Sequence, residues 1–145
     1  MKRTVGRFLE WTVLILITAL ATVVVVGVVF RKAGAALVWY DEVASILLAW
    51  LTYYGAALAA LKRAHIGVPT LIDRLQGRIR VAVILAAEAV VITFFVAVAW
   101  AGWRVTRVLG ELTLVSLPSV SAAVAQSVIP IGAVLFIVAE LVSLR

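Results

Sequence analysis

Apolar residues in this chain run in long unbroken blocks rather than in the short alternations of a soluble fold. Positions 11–30 form 20 residues without a charge, and positions 43–61 form 19. A third block, 81–103, has 23 residues with Glu88 inside it. A fourth, 121–144, has 24 residues, with Pro130 and Glu140 inside. At roughly 1.5 Å of rise per residue, each block crosses a hydrocarbon core of about 30 Å as a helix. Backbone amides in lipid are satisfied only in helices or closed barrels, and these blocks lack the two-residue alternation of barrel strands. The pattern predicts an all-α membrane protein, with residues 1–145 forming one integral membrane domain of four transmembrane helices.

The polar segments between the blocks set direction. Lys2, Arg3 and Arg7 precede the first block and Ala33-Gly34-Ala35 follows it, an arrangement shared with secretory signal peptides. The block is longer than the ~7–15 apolar residues of such a signal, and Arg31-Lys32 intervene, so an uncleaved anchor is expected. Nine basic residues (Lys2, Arg3, Arg7, Lys62, Arg63, Arg74, Arg78, Arg80, Arg145) lie on one side of the predicted membrane and four (Arg31, Lys32, Arg104, Arg107) on the other. This asymmetry predicts both termini and the 62–80 loop in the cytoplasm. Trp11, Trp39, Tyr40, Trp100 and Trp103 stand at block ends, as interfacial aromatic anchors do. Within the loop, Pro69 and Thr70 offer a helix start, and Leu71, Ile72, Leu75 and Ile79 share a face with arginines toward the other side. That spacing predicts a short amphipathic interfacial helix between the second and third spans, with a plain hairpin linker as the alternative and Gly77 weakening the helix.

Composition removes several functions. The chain is 66% hydrophobic and 14% charged, against about 25% charged in ordinary globular proteins. A soluble core of this size cannot hide that much apolar surface. There is no cysteine, which excludes disulfide and thiolate-metal chemistry, and His65 is the one histidine, too few for paired haem ligands. No cofactor, metal site or catalytic set is expected, and no enzyme. The net charge of +6 sits in short clusters between blocks, a membrane pattern and not a nucleic-acid one.

Few groups remain that carry chemistry. Glu88 and Glu140 are the intramembrane acids, and both fall in the cytoplasmic leaflet if the third span runs outward and the fourth returns. Glu140 is expected to snorkel; Glu88 is read either as a functional acid or as one buried hydrogen bonder. Asp41 and Glu42 open the second span, where capping and the helix dipole account for them; a pair of Glu42 with Arg104 or Arg107 is the other arrangement weighed. His65 is expected to hydrogen-bond structurally. Small residues recur at four-residue spacing in the second span (Gly55, Ala56, Ala59, Ala60), the third (Ala97, Ala101, Gly102) and the start of the fourth (Ser121, Ala122, Ala125, Ser127). Such faces admit close helix packing in lipid, and their abundance implies a membrane partner. Pro130 is expected to bend or unwind the fourth span.

Three stretches carry a family resemblance: Trp39-x-x-Glu42-Val43 before the second span, Lys62-Arg63-x-His65-Ile66-x-Val68 after it, and Ser116-Leu117-Pro118 followed by Ile129-Pro130-Ile131-Gly132. In order and spacing the chain resembles the small DctQ-type membrane subunit of tripartite ATP-independent periplasmic (TRAP) transporters over nearly its whole length. Pro69 departs from the family, which has an aspartate there. The resemblance implies a multi-pass protein of the bacterial inner membrane that scaffolds a large DctM-type subunit. A periplasmic binding protein would deliver organic acids, carboxylates or sialic acid, with uptake driven by a sodium gradient. Trp39, Glu42, Gly55, Ala59, His65, Leu71, Leu75, Pro118, Pro130 and Gly132 are the expected interface residues. The competing function is a stand-alone ion, proton or small-solute conductor using Glu88. A small multidrug exporter would need an acid in the first span, which has none.

Overall fold

A computed structural model of the chain describes residues 2–62 and 77–144. Three long helices, α1 (Lys2–Lys32), α2 (Tyr40–Leu61) and α3 (Gly77–Val108), account for the first three blocks. The fourth is two pieces, α4 (Ala122–Gln126) and α5 (Val128–Leu144). All four crossings are long and apolar enough to span a membrane. The expected interfacial helix falls mostly outside the described residues, and 77–80 at its end form the first turn of α3.

Each boundary has a local cause. Gly34 adopts φ +78°, and Ala35 N–H donates to Phe30 O while Gly34 N–H donates to Arg31 O. That pairing across a left-handed glycine is the helix-stopping Schellman arrangement, so Ala33-Gly34-Ala35 works as the C-cap of α1. Gly77 likewise takes φ +60° where α3 begins. In the fourth crossing the interruption falls at Ser127, one turn before Pro130. Proline has no N–H for the carbonyl four residues back and its ring crowds that carbonyl, so the ladder fails upstream of the ring itself. Two side chains cover the gap. Ser127 Oγ donates to Val124 O at 2.7 Å, and Trp50 Nε1, from the middle of α2, donates to Ala125 O at 3.2 Å.

The helices stand in a row, not a ring. α2 packs against α1 on one side and α5 on the other, α5 also packs against α3, and α1 and α3 share no extended contact. The row is therefore α1–α2–α5–α3. Small residues set its spacing. Gly27 lies against the Tyr40 ring, and a Cβ there would meet Tyr40 Cγ at 2.7 Å. A Cβ on Gly132 would lie 2.5 Å from Tyr53 Cβ, and one on Gly102 would lie 2.7 Å from Ile129 Cγ2 and 3.0 Å from Pro130 Cδ. Around these approaches the core is built from Leu9, Tyr54, Ala57, Ala60, Leu61, Val128, Ala133, Phe136 and Ala139. Phe95 stacks on Phe136 at 3.7 Å between ring centres, locking α3 to α5, and Trp50 stacks on Tyr54 at 6.0 Å. At the end of the bundle that carries both chain ends, Lys62 and Glu10 pair at 2.7 Å and join α2 to α1. Along the outward faces, Thr12, Thr18, Thr22, Thr52 and Thr93 turn their hydroxyls back onto carbonyls four residues earlier, so these five hydroxyl protons need nothing from lipid.

Two stability tests follow. Gly132→Ala should destabilise the chain while Gly55→Ala, with nothing within 4 Å of its Cβ position, should not. Trp50→Phe keeps the ring but strips the donor from Ala125 O, and should cost about 0.5–1.5 kcal/mol. Detergent-titrated unfolding in mixed micelles, followed by circular dichroism, checks all three.

Candidate functional site

The helix ends opposite the termini are joined by two loops, residues 33–39 and 112–121. The second folds back on itself: Thr113 bridges Ser121, Ala122 N–H donates to Leu112 O at 2.8 Å, and Leu114 N–H donates to Val120 O at 3.0 Å. Val120 N–H closes the tip onto Leu117 O at 2.9 Å. Pro118 stands second in that turn, where its fixed φ is favourable. Ser121 then caps α4 by accepting Ala123 N–H at 3.2 Å.

Glu42 ties this hairpin to the rest of the protein. Its Oε1 accepts Val115 N–H at 3.1 Å and its Oε2 accepts Ser116 N–H at 2.8 Å, while Ser116 Oγ donates to Val38 O at 3.3 Å. An ionised carboxylate offers two acceptor oxygens and no proton, which suits two adjacent backbone donors. The clamp corrects the expectation that Glu42 merely caps its own helix: the N-cap position belongs to Trp39, which makes no side-chain cap bond, and the carboxylate reaches 73 and 74 residues along the chain. It also corrects the pairing of Glu42 with Arg104 or Arg107. Those guanidiniums lie over Trp100 and Trp103, at 4.7 and 5.2 Å from the ring centres. Two of the sequence stretches singled out above, Trp39-x-x-Glu42 and Ser116-Leu117-Pro118, thus meet in space. The clamped loops present a bare apolar surface, with Val115 92% and Val38 81% exposed.

The other expected interface residues scatter. Gly132 and Pro130 pack inside the row, against Tyr53 and Gly102 respectively. Gly55 faces open space on α2, and Ala59, one turn on, is half-buried. Pro118 is exposed at the hairpin tip and Trp39 is half-buried. Glu88 is half-buried on the same α3 face as Phe95 and Gly102, looking toward α5, and Glu140 is half-buried on α5. His65, Leu71 and Leu75 lie outside the described residues. Among the described residues no group of three His, Cys, Asp or Glu side chains converges to hold a metal ion. Trp50 is the functional residue that sequence reasoning passed over. Its depth in the second block, away from either interface, is the signal that it serves an internal polar group.

If the carboxylate fixes the hairpin, Glu42→Gln should loosen it, because the amide replaces one acceptor by a second donor facing N–H. Amide exchange at Val115 and Ser116 should accelerate by about tenfold or more, with the α2–α5 core unchanged. Hydrogen-exchange NMR in micelles reads both regions at once.

No curated protein matches this chain. A family profile does: that of the tripartite ATP-independent periplasmic transporters, DctQ component, over residues 20–145. The matched stretch takes in α2 to α5, both halves of the Glu42 clamp and the Pro130 break. The chain therefore belongs to the DctQ family and is a small membrane subunit of a TRAP transporter.

Proposed function

We propose that this subunit braces a large DctM-type membrane subunit in the bacterial inner membrane, with both termini cytoplasmic and the Glu42-clamped hairpin in the periplasm. A soluble binding protein delivers an organic acid, a carboxylate or sialic acid, to the large subunit, which imports it on a sodium gradient. The single observation that carries the bracing role is the row of helices. A four-helix ring buries its faces against itself, whereas a row leaves two broad sides and two edges for another protein. The most apolar 18-residue stretch of α3 contains no buried residue. Small residues divide accordingly: Ala60 and Gly102 are buried in the row, while Gly55 meets nothing and Ala97 and Ala101 are exposed.

Bulk on an outward small face should act on assembly alone. Gly55→Leu or Ala59→Leu should lower co-purification of the large subunit by about fivefold or more, while the variant chain still inserts. Glu88→Gln should leave sodium-coupled uptake near wild type. Loss of uptake at normal complex yield would place part of the coupling machinery in this chain and reject a purely bracing role. For orientation, Val115→Cys should react with an impermeant maleimide added from the periplasmic side of intact cells, and Gln76→Cys should not. The reverse pattern would overturn the topology. The absence of native cysteine keeps the background clean.

A further inference from the structure

Two kinds of partner hold cations in the row. At the end bearing the termini, Lys62 is neutralised by Glu10. At the hairpin end, Arg31, Arg104 and Arg107 instead rest on the rings of Tyr40, Trp100 and Trp103, at 4.7–5.2 Å from the ring centres. Among the described residues neither Arg104 nor Arg107 has an ion-pairing carboxylate, although Glu111 stands only one turn beyond Arg107.

On α3 the pairing is repeated on successive turns. Trp100, Trp103, Arg104, Arg107 and Val108 share the helix face turned away from α5, and with Val105 and Leu109 they line a groove of about 810 Å³. Trp100 is 62% and Trp103 54% exposed. Side chains lean toward a helix N-terminus, so each guanidinium folds back over the ring four residues earlier. That direction holds both charges at the level of the interfacial tryptophans, where lipid phosphates lie, rather than out in water. The helix dipole accounts for a cation in the last turn, Arg107, but not for Arg104 a turn earlier.

Stacking occupies the flat face of a guanidinium and leaves its in-plane N–H donors at the edge, the geometry that grips a phosphate with two parallel bonds. Like charges three residues apart repel, and a shared anion removes that repulsion. Below them, Val96 continues the exposed strip toward the bilayer centre. We propose that Arg104 and Arg107, each held on its tryptophan, bind the phosphate of an anionic phospholipid, whose acyl chain lies along the α3 groove. The ligand is a lipid because the charged rim and the apolar strip are continuous, and a free anion would use only the first.

The full chain, in nanodiscs holding equal amounts of dioleoylphosphatidylglycerol and dioleoylphosphatidylcholine, is released into a native mass spectrometer and the retained lipid is weighed. Phosphatidylglycerol should be retained over phosphatidylcholine by about tenfold. Arg104→Gln/Arg107→Gln should bring the ratio near one, while Arg3→Gln/Arg7→Gln, which alters the opposite end of the row, should leave it unchanged. Arg104→Lys/Arg107→Lys keeps the charge but neither stacks nor forks, and should lose most of the preference. The wild-type ratio surviving in either Arg104/Arg107 variant overturns the proposal. So does release of the lipid by millimolar inorganic phosphate, which would assign the site to a free anion.

Discussion

A carbonyl that loses its helical partner inside a bilayer has no water to turn to, and the fourth helix carries such a break. Much of the arrangement can be traced to covering it. Trp50 supplies an indole N–H to Ala125 O, which requires α2 on one side of the break. Gly102 lets α3 approach Pro130 closely from another direction. With both flanks of α4 and α5 taken, α1 packs mainly against the far side of α2, through Gly27 and Leu9, and touches α5 only slightly. The linear order of the helices is thus tied to one interrupted ladder and the two elements that protect it.

The interior accordingly relies on approach distance more than on bulk. Ala57, Ala60, Ala133 and Ala139 are four of the nine buried apolar residues, with glycines at the closest crossings and one aromatic stack, Phe95 on Phe136, at the α3 seam. Lipid tails compete on equal terms with any apolar side chain, so the gain comes from dispersion at short range and from satisfied polar groups. The Glu42 clamp applies the same economy outside the row, ordering a hairpin with one side chain in place of a core of its own.

Long-range features were legible in the sequence where a property summed over many residues. Four apolar blocks became four crossings because hydropathy averages over a whole span, and a charged residue or two does not alter the sum. Pro130 was legible as a disruption, but its position was not: the ring acts on the carbonyl one turn upstream, so the break sits at Ser127. Glu42 was misread because a carboxylate in a first helical turn has a sufficient local explanation, and nothing nearby announces donors 73 residues away. Small residues were legible as packing surface without a destination. Gly55 and Gly132 look alike in the chain, and only the fold separates one facing open space from one lodged against Tyr53.

The Trp50–Ala125 bond spans 75 residues, and that separation carries a consequence in time. At about 5–20 residues per second, roughly 4–15 s of synthesis separate the donor from its acceptor. The α1–α2 hairpin can close early, since its contacts are neighbours in sequence. Among the described residues the third helix then has no extended contact with either of the first two. Glu42 can take the amides of Val115 and Ser116 as soon as they emerge, but helix packing joins the two groups only when the fourth helix arrives. The segment made last of the four is the wedge that turns an early hairpin and a third helix into one body, so the row closes only once that wedge is in place.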